Sequence, residues 1–385
     1  MFPIDISQHQ LVLIAAALLA TAITLAVVWW RAHRIAARAK AAPAEDASLN
    51  ASIVVYSNDE WYSLEDLLPQ LLAQQFNGRF EVIVVNEGES AQVQQIVNQL
   101  RLTHENLYLT YTPDGARSLS RKKLAITLGI KAARYDIVVL TSASASIPSQ
   151  QWLQRITNHF ADPQVQVVLG AAVADPNDDR LFGSRVRAFD YLDEQTAWLS
   201  AALARFPWRG TEHNLAYRRE LFFRNKGFSR HLNLRYGDDD IFISEITNRK
   251  NTVVELSPES LVTARGCCSP RHAGENWRLR RFTRRFIPHR PRLLSAIARW
   301  AYALAPLCLA GAVLLNPQSI HCIIAASVAF ILWWAASLAW RPAIKALHGR
   351  RMLLSIAPIM AIRPWRLLLR NITAMVHPPK HYTWE

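Results

Sequence analysis

The chain has 385 residues, 51% of them hydrophobic, and a formal charge of +14, enough for one sizeable globular core with additions. Its four cysteines show no Cys-x-x-Cys spacing, since Cys267 and Cys268 are adjacent while Cys308 and Cys322 fall in apolar runs. No zinc site is implied, and reduced thiols are the default expectation.

The first predicted element is an apolar run at residues 11–30 that carries no charge and ends in Trp29-Trp30. It matches the ~20 residues that cross a bilayer, with tryptophans placed as an interface anchor. It is too long for a signal-peptide core, and no Lys or Arg precedes it. Arg31, Arg34, Arg38 and Lys40 follow it, so an uncleaved anchor over 1–32 is expected, with the bulk of the chain cytoplasmic. A linker is expected over 33–50.

Next comes a strand at 52–56, a polar turn Ser57-Asn58-Asp59-Glu60, and a helical pattern at Leu64, Leu67, Leu68, Leu71 and Leu72. A second apolar run, Val82-Ile83-Val84-Val85, breaks off at Asn86-Glu87-Gly88-Glu89. A third unit repeats the scheme with a helix at 120–133, a strand at Ile137-Val138-Val139-Leu140, and Thr141-Ser142-Ala143-Ser144-Ala145. β-branched runs alternating with amphipathic helices predict an α/β fold with a mostly parallel sheet. Ligands of such sheets bind beyond the carboxyl ends of the strands, so these turns are candidate site loops.

Further along stands Gly237-Asp238-Asp239-Asp240-Ile241-Phe242. Three adjacent carboxylates repel one another and call for a cation, a base role or helix-cap work. The plainer alternative is that they cap the apolar segment Ile241–Ile246 and complement its dipole.

Two more membrane-length runs follow at about 296–315 and 320–340, again by the ~20-residue criterion. The loop Asn316-Pro317-Gln318-Ser319 between them has no basic residue, while Arg341, Lys345, Arg350 and Arg351 follow. Both flanks fit a hairpin over 293–341 with its loop outside. Met352–Ile362 reads as a short interfacial or re-entrant helix broken by Pro358. The densest basic cluster, Arg278, Arg280, Arg281, Arg284, Arg285, Arg290 and Arg292, sits just before the hairpin, where Lys and Arg face anionic lipid. Membrane surface is its favoured partner, a phosphate-bearing substrate comes second, and no nucleic acid is expected.

The segment 51–292 resembles the family-2 glycosyltransferases, the inverting GT-A enzymes that use nucleotide-diphosphate sugars. Five stretches match in order. Ser52–Glu60 and Phe80–Gly88 resemble the family's first two strands with their acidic turns, and Ser120–Ala133 is similar to the helix with a donor-facing Lys. Asn214-Leu215-Ala216-Tyr217-Arg218 resembles an acceptor-side segment, and Gly237–Phe242 the segment that holds the general base. The resemblance implies a GT-A fold with a mixed, mostly parallel sheet, and a donor bound by Glu60, Glu87, Lys122, Lys123, Ser142 and Ser144. It makes Asp238 the base, with Asp239 and Asp240 supporting it, and gives Asn214, Trp277, Arg280 and Arg281 to the acceptor or the diphosphate. Taken singly, Glu60 and Glu87 read as solvated loop acids, and a Lys pair on a helix as a solvated face.

The departures matter as much. Where the family carries the Asp-x-Asp that holds Mg²⁺ or Mn²⁺, this chain has Ser142-Ala143-Ser144, and neutral hydroxyls are poor ligands for hard cations. Two functions remain: a membrane-bound transferase acting on a glycan or lipid-linked acceptor, with Lys and Arg neutralising the diphosphate, or an inactive relative serving as a membrane scaffold.

Overall fold

The computed structural model describes residues 6–42, 44–88, 90–112, 119–175, 182–288, 290–347 and 353–376. Glu89, Arg350 and Arg351 lie outside them, as do the side chains of Arg290 and Arg292. The chain divides into two compact units. One comprises 1–36, 289–345 and 349–379, and the other essentially 37–288.

The larger unit is built on a seven-stranded sheet of order β3-β2-β1-β4-β8-β6-β9. The strands are β1 (Ala51–Ser57), β2 (Phe80–Asn86), β3 (Leu107–Tyr111), β4 (Ile137–Ser142), β6 (Val167–Gly170), β8 (Leu215–Arg218) and β9 (Thr252–Glu255). β3, β2, β1 and β4 are parallel, β8 runs antiparallel to both β4 and β6, and β9 is again parallel to β6. β5 (Ala145–Ser146), β7 (Ala172–Ala174) and β10 (Val262–Ala264) form a small second sheet of order β5-β10-β7. The mixed, mostly parallel sheet agrees with the sequence reading. Ile53, Val55, Val82, Val84 and Val139 are fully buried, as unbroken β-branched runs require when both faces of a sheet are covered.

The long helix α1 (Gln8–Ala39) comes before the sheet, and α2 (Trp61–Leu72), α3 (Ala91–Arg101) and α4 (Arg121–Ala132) cross between the parallel strands. The Ser120 hydroxyl accepts from the Lys123 amide and caps α4, which fixes where that helix starts. Gly129 of α4 lies so close to β1 that a Cβ there would stand 2.4 Å from Val54 Cγ1. That close approach explains a glycine inside a helix. After α5 (Trp152–Thr157) come the long α6 (Phe182–Leu203) and the short α7 (Arg219–Arg224) and α8 (Ile241–Ile246), and α9 (Pro270–Thr283) ends the unit.

The expected linker 33–50 is only partly a linker. α1 runs on to Ala39, and the following irregular stretch is tied down, with Asn158 Oδ1 accepting from the Ala47 amide at 3.1 Å and Arg155 pairing with Asp46 at 3.3 Å.

In the smaller unit, α10 (Arg290–Leu315) and α11 (Ile320–Ala336) flank the loop 316–319, and α12 (Arg341–Ala346) follows. Among the described residues, three helices are long and apolar enough to cross a membrane: Gln8–Ala39, Leu293–Leu315 and Ile320–Ala346. Within the unit, Gln10 Nε2 donates to the Ala312 carbonyl at 3.0 Å and Thr24 Oγ1 to the Ala298 carbonyl at 3.0 Å. Tyr302 stacks on Trp333 with centroids 4.7 Å apart. The short helix expected near 352–362 is instead α13 (Leu353–Val376), which continues through Pro358 and Pro364. Its buried Ile356, Ala357, Ile359 and Met360 show why: packing over that stretch outweighs the hydrogen bond that each proline removes.

Candidate functional site

The site grows from the carboxyl ends of β1, β2 and β4. Register places Ser57 beside Asn86 and Tyr56 beside Ser142, so three turns open on the same edge. The first two turns are latched together: Asn86 Nδ2 donates to Asp59 Oδ1 at 2.6 Å and to the Gly88 carbonyl at 2.8 Å. Asp59 takes a left-handed backbone (φ 54°) and Gly88 has φ 146°, geometries that the latch must hold. Glu87 accepts from Tyr56 Oη at 2.5 Å and pairs with Arg121 at 3.4 Å. Glu60 is half-buried in the same turn, and burial, reinforced by the Glu212 carboxylate, raises its pKa.

The first turn of α4 aims Lys122 across this edge. Its ammonium lies 2.7 Å from Asp238 Oδ2, is bound by Glu212, and sits 5.7 Å from the Tyr56 ring centre. Burial alone would lower its pKa, but Asp238 and Glu212 outweigh burial and hold it well above the ordinary value. Burial pushes Glu212 up, and Lys122 and His213 more than reverse that, leaving it well below the usual carboxylate range. Tyr56, Lys122, Thr141, Ser142, Glu212 and Asp238 line one small cavity.

Ser142 and Ser144, the positions of the family's metal carboxylates, are joined by a 2.9 Å hydrogen bond, and Ser142 Oγ stands 2.8 Å from His213 Nδ1. Burial lowers the His213 pKa to about 4, with Glu212 opposing, so the imidazole is neutral near pH 7. Two hydroxyls already engaged with each other and with an imidazole, beside a lysine ammonium, do not fit a hard divalent cation, which favours several oxygen ligands including carboxylates. Among the described residues, no group of three or more His, Cys, Asp or Glu side chains is placed to hold a metal.

The three aspartates separate into three environments. Asp238 faces Lys122. Asp239 turns the other way to Arg209 Nη2 at 3.3 Å. Arg209 Nη1 in turn binds Glu194 Oε1 of α6 at 2.5 Å, and Glu194 binds Arg280 of α9. Burial, opposed by Arg209 and aided by Asp240 and Asp238, pushes the Asp239 carboxyl up to about 7, and its Oδ1 is buried without a hydrogen-bond partner. Asp240 accepts from the Ile241 amide at 2.6 Å and caps α8, the plainer of the two roles weighed for it.

Other expected site residues stand elsewhere. Lys123 is fully buried, and its ammonium donates to the carbonyls of His231, Leu234 and Tyr236 at 2.7, 3.1 and 2.7 Å. It therefore ties down the loop that leads into Asp238, and the expectation that it faces a diphosphate is corrected; burial lowers its pKa to about 8. Asn214 is likewise interior. Its Oδ1 accepts from Trp152 Nε1 at 3.0 Å, while Nδ2 donates to the Ala171 and Ser260 carbonyls at 2.9 and 2.8 Å. That leaves it no amide hydrogen for an acceptor sugar. Trp277 is half-buried under Arg281, whose guanidinium lies 5.5 Å from the ring centre. Arg280 belongs to the interior chain through Glu194.

Sequence reading missed Tyr56, Glu194, Arg209, Glu212 and His213. The adjacent acid and imidazole of Glu212-His213, just before an apolar strand, were a usable signal; the partners of Arg209 lie too far along the chain to be read from it.

Residues 52–229 match the family model described as glycosyl transferase family 2. They form a domain of that family. The family-2 match ends before Asp238, so the aspartates and α9 are assigned here on geometry. Among solved structures, the mannosyltransferase PcManGT from Pyrobaculum calidifontis, in complex with GDP-Man and Mn²⁺, is 21% identical, with 92% of this chain and 99% of that chain covered and a TM-score of 0.50. That likeness shows the fold. TarS 1–349 from S. aureus is 14% identical over 85% of this chain and 92% of that chain, with a TM-score of 0.40. Glucosyl-3-phosphoglycerate synthase from Mycobacterium tuberculosis is 15% identical over 45% and 58%, with a TM-score of 0.32. No curated protein matches the chain.

Proposed function

We propose that this family-2 domain transfers a sugar, with inversion, from a nucleotide-diphosphate donor to a glycan or lipid-linked acceptor in cell-surface polysaccharide or glycolipid synthesis. The observation that carries the reading is the Lys122 ammonium, held by Asp238 and Glu212 beside Ser142 at the mouth of β1 and β4. A fixed cation stands where the family's metal carboxylates are missing. The donor's diphosphate oxygens would accept from Lys122 and draw it off Asp238. Asp238 then takes the acceptor hydroxyl's proton as that oxygen attacks the anomeric carbon, and the nucleoside diphosphate leaves. Glu60 and Glu87, on the β1 and β2 turns, would receive the nucleoside, and Trp277 and Arg281 of α9 the acceptor.

Charge asymmetry supports an inner-membrane protein with residues 41–292 cytoplasmic and the 316–319 loop outside. Cys267 and Cys268 are buried, so an introduced cysteine at the exposed Gln318 is the better reporter. Labelling of Gln318→Cys by a membrane-impermeant reagent in intact cells supports this orientation, and labelling only after lysis reverses it.

One observation favours the scaffold reading: the proposed base is covered by Lys122 as it stands. Titrating nucleotide-diphosphate sugars with and without Mn²⁺ separates the two. Transfer requires donor binding that changes little with Mn²⁺ and weakens in Lys122→Ala. No binding under any condition, including in the Ser142→Asp, Ser144→Asp double variant, leaves the scaffold.

A further inference from the structure

On the edge of the main sheet opposite the site, an open groove of about 340 Å³ runs between the end of α6 and the turn before β9. β6 and β9 run in the same direction as β4, so their starting residues face away from Ser142. Arg38, Arg205, Arg249 and Lys250 line the groove with a single carboxylate, Asp162. Arg38 is matched by Glu255 at 3.2 Å, and Asp162 Oδ1 accepts from the Gln164 amide. Arg205, Arg249 and Lys250 are exposed and form no ion pair with a described residue. Like charges collected in one groove repel one another, which favours an anion between them.

The backbone beneath them is built for presentation. α6 ends with the Arg205 amide donating to the Ala202 carbonyl and the Phe206 amide to the Ala201 carbonyl, both at 2.9 Å. This is the helix stop that ordinarily carries glycine at its left-handed position, yet here Arg205 holds that position at φ 69°. A glycine would stop the helix with less strain, so the side chain at 205 has a use beyond stopping the helix. Arg205 Nη1 also donates to the Arg249 carbonyl at 3.2 Å, and Arg249 lies over the exposed Phe206 ring at 4.7 Å. The turn carrying Arg249 and Lys250 is stiffened by Asn248 Oδ1, which accepts from the Lys250 and Asn251 amides at 2.8 and 3.0 Å.

We propose that Arg205, Arg249 and Lys250 form a binding site for a phosphate group, distinct from the transferase site. Guanidinium forks and an ammonium suit phosphate oxygens. The exposed Phe206 offers an apolar neighbour, so the headgroup of an anionic lipid is the favoured carrier over a free phosphate.

The test uses the full-length protein in detergent micelles, with phosphatidylglycerol, phosphatidylcholine and inorganic phosphate as probes, read by native mass spectrometry and thermal shift. Phosphatidylglycerol should be retained over phosphatidylcholine, and the combined Arg205→Gly, Arg249→Ala, Lys250→Ala variant should lose this preference by roughly tenfold, the scale of losing charge-assisted contacts. Arg205→Gly alone should weaken retention while leaving the Tm unchanged or higher, because it relieves backbone strain. If inorganic phosphate alone raises the Tm of the wild type but not of the triple variant, and the lipids show no preference, the site is upheld with a soluble phosphate as its source. Lipid and phosphate responses identical in wild type and triple variant overturn the proposal. So does a lowered Tm in Arg205→Gly, which would make the arginine structural.

Discussion

Asp238 and Asp239 are adjacent in the chain, yet they belong to regions that use ion pairs for opposite ends. On the open edge, Lys122 and Glu212 keep side-chain exposures of 24% and 29%, and the pair they share with Asp238 faces a cavity. In the wall between α6, α8 and α9, Arg209, Glu194 and Asp239 are 9–10% exposed and closed to solvent. An incoming anion can exchange for Glu212 on Lys122 at small net cost, because both of those side chains are partly exposed, whereas Asp238 is only 6% exposed. Nothing can replace Asp239 or Glu194 on Arg209 without leaving a buried charge alone. The first region is built to be rearranged by a ligand, and the second to hold the first in place.

The largest effect should come from Asp238→Asn. Turnover is expected to fall by roughly 10² to 10⁴, the contribution of a positioned general base, with donor affinity kept because Lys122 is released rather than lost. An unchanged rate in a steady-state assay would move the base elsewhere or end the enzymatic reading. Arg209→Ala tests the closed region: breaking a buried pair should cost roughly 3–5 kcal/mol of stability, seen as a lower urea midpoint. A loss below roughly 1 kcal/mol, the range of an exposed pair, would erase the contrast drawn here.

His213 supplies the pH test. Its folded pKa of about 4 lies below the ordinary value of 6.5, so the unfolded chain binds the extra proton first as pH falls. The wild type should lose stability from pH 6.5 down to 4, by up to roughly 3 kcal/mol, and His213→Asn should lack that loss. Parallel stability curves for the two proteins over this window would refute the buried neutral imidazole. The smallest effect belongs to Lys122→Ala, which should weaken donor binding by ~1.5–3 kcal/mol, as for a charge-assisted hydrogen bond. Calorimetry should also show near-equal donor affinity with and without Mn²⁺, and a strong Mn²⁺ requirement would mean that other carboxylates serve the metal.

Some of this contrast was legible before any coordinates. The Ser142-Ala143-Ser144 substitution and the run of three aspartates are local facts, and the helix cap weighed for Asp240 needs only the apolar segment after it. Lys122 and Lys123 show the limit. They are neighbours on one helix turn, and sequence treats them alike, but a rotation of ~100° per residue sends one to Asp238 and the other into the carbonyls of the 231–236 loop. Asn214 was placed with the acceptor by its motif, while its hydrogen bonds to Trp152, Ala171 and Ser260 join three separate stretches of chain.

By itself the sequence determined the strands near 52–56, 82–85 and 137–140, the helices between them at 64–72 and 120–133, and the three membrane-length apolar runs, because hydrophobic period, run length and cap residues act over a few neighbours. It also determined that the carboxylates of a metal site are absent at 142 and 144. Only the tertiary structure decided which cation meets which aspartate, that Glu212 and His213 complete the edge, and that the last helix continues through two prolines. Those outcomes depend on burial and on partners far apart in the chain, such as Arg209 with Asp239 and Glu194, and no local pattern encodes such distances.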